Sequence, residues 1–230
     1  MIVPISADVT GGIPNKSLKG YGNFVDGDCL VAAAYHIEMF KGLAKGSSFK
    51  KLLWKLGFHC PTNADAIADY TAYLLTLGEK PGVNVGVNGA PYFDWKVARG
   101  DYAAWSQIDT WSPGAEARLA EAMIRCRGVL LIGELTENAY INSSPKYEWK
   151  TGTGKGDVPV PSLTHAVAYD HYTPKFKECV TWGYRQRMTP EFFTQFANGA
   201  FVFLLTSEKD DPDFADNMAW LRSLTGVQQG

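Results

Sequence analysis

Apolar residues recur every three or four positions in two early segments of the chain, which is the spacing of a buried helical face. The first segment predicts a helix from about 28 to 42, rich in alanine and ending in a phenylalanine–lysine–glycine sequence. The second follows Pro61, where Thr62 or Asn63 can cap a helix and Gly78 can end it. These patterns predict two amphipathic helices near the start of the chain.

The middle of the chain contains the best-marked helix and a segment with little periodicity. Ser112 as N-cap and Gly128 after the end delimit a helix over 113–127. Residues 79–100 show no sustained helical repeat, and their Asn88-Gly89 pair is typical of a hairpin turn. We therefore expect loops and short strands over 79–100.

Short apolar runs replace the helical pattern in the second half. These predicted strands are 129–135, the stretch that begins at His165, 177–183 and 200–206. A polar segment over 142–162 separates the first two predicted strands. A short helix begins at Thr189-Pro190, and a terminal helix covers about 212–224. Helices that precede strands, rather than alternate with them, indicate an α+β fold.

Composition and charge narrow the possible functions. The chain has 230 residues, 46% of them hydrophobic and 20% charged, with a net charge of −2, which is typical of a soluble globular protein. This charge gives no general attraction to nucleic acid or to an anionic membrane. We see no secretory leader and no window of about 18 apolar residues, so we expect no membrane span.

Four cysteines are present, at 29, 60, 126 and 179, and none forms a Cys-x-x-Cys pair. If Cys29 is a working thiol, three remain, and an odd remainder argues against a disulfide framework. A reducing cytoplasm fits this pattern best. The adjacent His59 and Cys60 have no second ligand pair at zinc spacing, and the glycine-rich 152–156 does not lead into a helix, so we expect neither metal nor cofactor.

Cys29 and His165 form the most informative pair of residues. Cys29 lies at the predicted start of a helix, His165 opens an apolar strand, and Asn23 lies six residues before the cysteine. A helix N-terminus and a nearby imidazolium would lower the pKa of the thiol, and the Asn23 amide could donate to an oxyanion. We expect the Cys29 sulfur to lie within hydrogen-bonding reach of a His165 ring nitrogen.

Each of these residues also has a structural interpretation when it is taken alone. Cys29 could be a small buried residue, Asn23 a turn residue and His165 a satisfied core histidine. His36 falls on the same helical face as Cys29, seven residues later, and we interpret it as structural. It is the combination of the three residues that favours a catalytic site.

Three motifs, in this order, resemble those of the papain-like cysteine peptidases. They are an amide six residues before the cysteine (Asn23 to Cys29, where the family uses glutamine), the strand His165-Ala166-Val167, and Trp182-Gly183 seventeen residues after the histidine. The strand 129–135 resembles the one that precedes the histidine in the family. The Gly-Asn-x-x-x-Gly-Asp-Cys form, with Trp-Gly followed by 188–193, is similar to an uncharacterised branch common in bacteriophage genomes.

The chain departs from the family at the group that orients the histidine. The family places an asparagine two residues before the tryptophan. Here that residue is Val180, whose side chain cannot form a hydrogen bond. Alternation along the strand would point Thr181 to the other face. Asp170 lies five residues from His165, an odd offset that also predicts the opposite face. Leu30, rather than glycine, follows Cys29, and the third catalytic member is not identified.

The resemblance implies a single papain-like domain over 1–230. A helical lobe of about 20–127 would carry the cysteine helix and pack on a mainly antiparallel sheet lobe of about 128–206, with a cleft between them and the terminal helix at 212–224. The implied function is a thiol hydrolase that cleaves peptide or isopeptide bonds in a protein or peptide substrate, with Cys29, His165 and Asn23 as site residues. The alternative is a papain-fold structural or interaction protein, for example a virion component that binds phage structural proteins in the host cytoplasm or in the virion.

Overall fold

The computed structural model describes residues 6–9, 18, 21, 28–45, 61–80, 86–224 and 228–229. Within these ranges the chain forms one nine-stranded sheet with helices on both faces. The strands are β1 (Ala7–Asp8), β2 (Tyr102–Ile108), β3 (Val129–Thr136), β4 (Glu148–Trp149), β5 (Pro159–Tyr172), β6 (Lys177–Thr181), β7 (Tyr184–Met188), β8 (Ala197–Leu205) and β9 (Gln228–Gln229).

The sheet order is β4-β7-β6-β5-β3-β8-β2-β9, with β1 paired to β5. Every pairing is antiparallel except that of β4 with β7. The long central strands β3 and β5 are hydrogen-bonded to each other, and Gly133 of β3 lies opposite His165 of β5. The mainly antiparallel α+β architecture predicted from the sequence is therefore confirmed.

Seven α-helices occur in the described residues: α1 (Cys29–Lys45), α2 (Asn63–Thr76), α3 (Gly89–Ala98), α4 (Ala115–Cys126), α5 (Glu137–Asn142), α6 (Pro190–Phe196) and α7 (Phe214–Ser223). Each face of the sheet has its own buried core, and the helices divide between the two faces. Helices α1, α2 and α3 pack on one face, and α4, α6 and α7 on the other. A search of the described residues finds no helix with the length and apolar character to cross a membrane.

Several helix boundaries follow directly from the sequence. Thr62 caps α2 with a complete capping box, in which its hydroxyl accepts from the Asp65 amide and its own amide donates to the Asp65 carboxylate. Thr189 likewise caps α6, with Pro190 as the first helical residue. α1 begins at Cys29, and its side chains from Leu30 to Ile37 are almost all buried against the sheet.

The segment 79–100 differs from its prediction, because its described part contains α3 instead of a hairpin. Asn88 is the N-cap of this helix, and Gly89 lies so close to the Phe201 ring that a Cβ would be 2.8 Å from it. Tyr92 and Phe93 bury the inner face of the helix. The Asn-Gly pair thus begins a helix where the sequence pattern indicated a turn.

The sheet also takes in residues that the sequence pattern did not assign to it. β2 lies between β8 and β9, so the sheet begins well before residue 128. β7 was not predicted, and the 177–183 strand ends at Thr181 because a tight turn follows. β5 begins at Pro159, six residues before His165, inside the segment expected to be a polar excursion.

Candidate active site

Cys29 is the first residue of α1 and lies against the central strand β5. The amide of Ala32 donates to the carbonyl of Asp28 at 2.9 Å, which closes the first helical turn around the cysteine. The Cys29 side chain is half-buried, and its thiol lies close to the backbone amide of Ala166. The helix start thus places the sulfur one residue from His165 along the neighbouring strand.

The pKa of the Cys29 thiol is raised, in contrast to the lowering expected from its position at a helix start. Burial is the largest cause, and the charge of the adjacent Asp28 carboxylate acts in the same direction. The backbone amides of Ala166, Leu30 and Cys29 itself act in the opposite direction but do not outweigh burial. The resting cysteine is therefore a neutral thiol.

His165 is held inside the sheet and is only 7% exposed. Burial lowers the pKa of its imidazole to about 3, so the ring is neutral at physiological pH. Its strand partner is Gly133, where a Cβ would meet the Phe196 carbonyl oxygen at 1.6 Å. Only glycine fits at that position beside the histidine.

Thr181 makes the one polar contact to the His165 ring among the described residues. Its Oγ1 lies 2.6 Å from Nε2 of the imidazole, and the pair is buried. The alternation argument had placed Thr181 on the other face, and the register explains why that was wrong. Val180 pairs with Ala168 and both pack toward α1, so the next residue, Thr181, shares the face of His165.

Asp170 does not contact the histidine, as its odd offset from His165 predicted. Its carboxylate is fully buried, and the Arg185 guanidinium donates to it from Nε at 3.3 Å. Burial raises the pKa of Asp170 to about 8, which the Arg185 charge only partly offsets. Asp170 on β5 is therefore paired with Arg185 on β7, and not with His165.

Trp182 covers the imidazole. The two rings stack with centroids 4.5 Å apart and planes inclined by 19°. Trp182 and Gly183 form the two-residue turn between β6 and β7, closed by the Thr181–Tyr184 pair, and both have positive φ, +47° and +78°. Such a turn favours Asn-Gly, so a tryptophan there is strained, a feature that clusters at functional sites.

An exposed aromatic side chain extends this stack to the surface. Tyr140 on α5 is 52% exposed and meets Trp182 edge to face, with ring centroids 6.0 Å apart. Asn138 on the same helix donates to Asp157, which joins α5 to the short 3₁₀ turn Lys155–Asp157 before β5. The rim next to His165 is thus built by α5 and the entrance of β5.

The remaining sequence-predicted residues lie elsewhere or outside the described ranges. Asn23 is outside them, as are His59 and Cys60. His36 is buried in α1 and packs edge to face on Tyr21 at 4.8 Å, in agreement with a structural role. No group of three His, Cys, Asp or Glu side chains in the described ranges is arranged to hold a metal ion.

The structure places the Cys29 thiol beside the Ala166 amide, and it places Thr181 and Trp182 against the imidazole of His165. No contact of the described residues joins the sulfur directly to a ring nitrogen, so that hydrogen bond stays a prediction. Chemically, the arrangement offers a neutral thiol and a neutral base, with one ring nitrogen engaged by a hydroxyl. Residue types and spacing alone indicated the first pair, whereas Thr181 could be recognised only from the strand register.

Comparisons with known proteins give matches among solved structures, and two of these structures are described below. Neither the scan against protein-family models nor the search of curated proteins found a match. Among solved structures, a cysteine protease from Carica candamarcensis, in complex with E-64, has a TM-score of 0.43 and 12% identity over 88% of this chain and 99% of its own. A protein described as a C39-like peptidase from Bacillus anthracis has a TM-score of 0.34 and 18% identity over 52% of this chain.

The same match spans 60% of the length of the Bacillus anthracis protein. At these scores and identities, neither likeness carries an argument about chemistry. What the chain can do is therefore inferred from its own residues.

Proposed function

We propose that the chain is a papain-like thiol hydrolase that cleaves peptide or isopeptide bonds, with Cys29 as nucleophile and His165 as base. The observation that carries the proposal is the placement of the Cys29 thiol at the start of α1, beside the Ala166 amide and one residue from a neutral, buried imidazole. Because the pKa of the imidazole is far below that of the thiol, the proton is transferred in concert with attack on a bound substrate carbonyl and not before it.

The reaction starts from a neutral Cys29 thiol and a neutral His165 imidazole. As Sγ of Cys29 bonds to the substrate carbonyl carbon, its proton passes to the free nitrogen of His165 and the carbonyl becomes an oxyanion. The carbon–nitrogen bond then breaks, and His165 gives the proton to the leaving amine. Water, deprotonated by the same ring, hydrolyses the thioester to a carboxylic acid and restores the thiol.

The oxyanion requires donors, and two are proposed. The Cys29 backbone amide lies at the start of α1, where the N–H groups of the first helical turn have no partner within the helix. The Asn23 side chain, six residues earlier, would supply the second donor. The substrate is accordingly a protein or peptide with an accessible amide bond.

Cleavage of a mixed peptide library, followed by mass spectrometry, tests this function. We expect the wild-type chain to cleave the library, and Cys29→Ala and His165→Gln to lose that activity. Cys126→Ala is the matched control, because Cys126 is fully buried in α4 on the opposite face of the sheet. Equal cleavage by Cys29→Ala would contradict the proposal. A wild-type chain that cleaves nothing would favour the alternative of a structural or interaction protein, including a phage virion component.

A further inference from the structure

The Thr181–His165 contact has chemical consequences beyond the assignment of a nucleophile and a base. An imidazole works as a base toward a thiol only if the nitrogen facing that thiol has a free lone pair. The hydrogen bond at the other nitrogen decides which nitrogen holds the proton. Here that other nitrogen is Nε2, and its partner is the Thr181 hydroxyl at 2.6 Å.

The position of the thiol indicates which nitrogen must be free. Cys29 lies beside the backbone amide of Ala166, and Nδ1 is the ring nitrogen closer to the main chain. If Nε2–H donates to Oγ1 of Thr181, Nδ1 carries the lone pair and can accept the thiol proton. If the hydroxyl donated instead, Nδ1 would carry the proton and the ring would be inactive as a base.

We propose that Thr181 is the positioning residue of this site: its hydroxyl accepts a hydrogen bond from Nε2–H of His165 and thereby keeps Nδ1 available to the Cys29 thiol. The inference rests on the proposed function for its catalytic meaning, but the tautomer is a property of the resting protein. Thr181 replaces the amide that the sequence lacks at Val180, and it does so from the adjacent residue.

Packing around the pair supports a fixed ring. The Trp182 indole stacks on the imidazole, and only 7% of His165 is exposed. The ring therefore has little freedom to rotate, and the hydroxyl at 2.6 Å meets Nε2 in a buried environment where a hydrogen bond is strong. The same burial keeps the ring neutral, so a single tautomer can persist.

The first measurement is the ¹⁵N spectrum of the histidine rings in the wild-type chain, with His165 assigned by its loss in His165→Gln. We expect Nε2 of His165 to be protonated and Nδ1 to be bare. In Thr181→Val, which keeps the side-chain shape without the hydroxyl, we expect a mixture of tautomers. A protonated Nδ1 in the wild type, or a Thr181→Val spectrum identical to that of the wild type, would overturn the inference.

The second measurement is the rate of Cys29 alkylation by iodoacetamide as a function of pH. Thr181→Val should lower the rate about tenfold or more at pH 7, and Thr181→Ser should restore most of it. At strongly alkaline pH the rates should converge, because hydroxide then removes the thiol proton. A defect of equal size at every pH would indicate a merely structural role and would contradict the inference.

A matched control separates loss of a buried hydroxyl from loss of this contact. Ser106 on β2 is also buried, and its hydroxyl donates to the Gln107 carbonyl at 3.5 Å. Ser106→Ala should leave the tautomer of His165 and the alkylation rate unchanged. If wild-type Cys29 is alkylated at pH 7 no faster than in His165→Gln, the proposed function fails, whereas fast alkylation that Thr181→Val does not slow overturns only the role of Thr181.

Discussion

The indole of Trp182 stacks on the imidazole of His165, with ring centroids 4.5 Å apart, from a turn in which the tryptophan has a φ of +47°. Asparagine would adopt this backbone conformation with less strain than tryptophan. In this conformation the Trp182 indole covers the imidazole and shields it from water. Burial is the cause of the low pKa of His165, so the pKa depends on this contact.

Replacement of the tryptophan should therefore raise the pKa of the histidine. Trp182→Asn suits the positive φ and keeps the turn, but it exposes the imidazole. We expect the His165 pKa to rise by at least about one unit from its value of about 3, measured by NMR titration of the ring. Trp111→Asn, at an exposed tryptophan, is the control and should not change it. An unchanged pKa in Trp182→Asn would show that the stack does not control the burial of the ring.

Gly133 should be among the least replaceable residues near the site. A Cβ there would lie 1.6 Å from the Phe196 carbonyl oxygen, which is backbone and cannot rotate away. We expect Gly133→Ala to lower the free energy of unfolding by about 3 kcal/mol, measured by urea denaturation. Gly199→Ala, on the neighbouring strand β8, meets only the end of the Gln107 side chain at 3.6 Å and should be tolerated. Equal losses in the two variants would contradict this account.

Asp170 should make stability depend on pH. Its pKa rises from 3.8 in the unfolded chain to about 8 in the fold, so the folded state holds a proton that the unfolded chain releases. The free energy of unfolding contributed by this group therefore falls as pH rises from about 4 to about 8. Asp170→Asn removes that titration, and the variant should gain on the order of 5 kcal/mol relative to wild type over this range.

The measurement for Asp170→Asn is urea denaturation at several pH values between 4 and 9. The His165 titration is common to both proteins and cancels in their difference. Curves of stability against pH that run parallel for variant and wild type would mean that Asp170 is ionised in the fold, held so by Arg185.

The buried ion network under α1 should be a major stabilising feature of the helical face. Lys96 is 4% exposed and contacts Asp69 at 2.6 Å and Asp101 at 3.1 Å. Lys96→Met should cost about 3 kcal/mol, because it removes the cation beside the Glu38 carboxylate and leaves Asp69 with Arg99 alone. Arg187→Met breaks the exposed pair with Glu178 and should cost about 1 kcal/mol or less. Equal losses of unfolding free energy in Lys96→Met and Arg187→Met, measured by urea denaturation, would contradict this prediction.

Local chemistry explains which parts of the fold could be predicted from the sequence. The capping box at Thr62 and the Thr189-Pro190 start are decided by neighbours in sequence, so these helix starts were predicted correctly. The Asn88-Gly89 pair was misassigned because its conformation depends on the Phe201 ring, more than a hundred residues away. Periodicity could not reveal that contact.

The site shows the same division between local and long-range information. Cys29 and His165 were found from residue type and spacing, and the structure places the Cys29 thiol beside the backbone amide of Ala166, the residue that follows His165. Thr181 was placed on the wrong face because the prediction lacked the pairing of Val180 with Ala168, which fixes the face of every residue in β6. The thiol pKa was predicted in the wrong direction because burial, a tertiary property, outweighs the helix start.

The central claim is that His165 takes the proton of Cys29, and thiol alkylation at pH 7 tests it most directly. The rate of iodoacetamide labelling should be resolved by peptide mapping for Cys29, Cys60, Cys126 and Cys179, in wild type and in His165→Gln. Burial alone makes Cys126 and Cys179 slow, so the decisive comparison is Cys29 with and without the histidine. We predict that Cys29 is the fastest of the four and that His165→Gln slows it at least about tenfold. A Cys29 rate that is the same in both proteins would contradict the account.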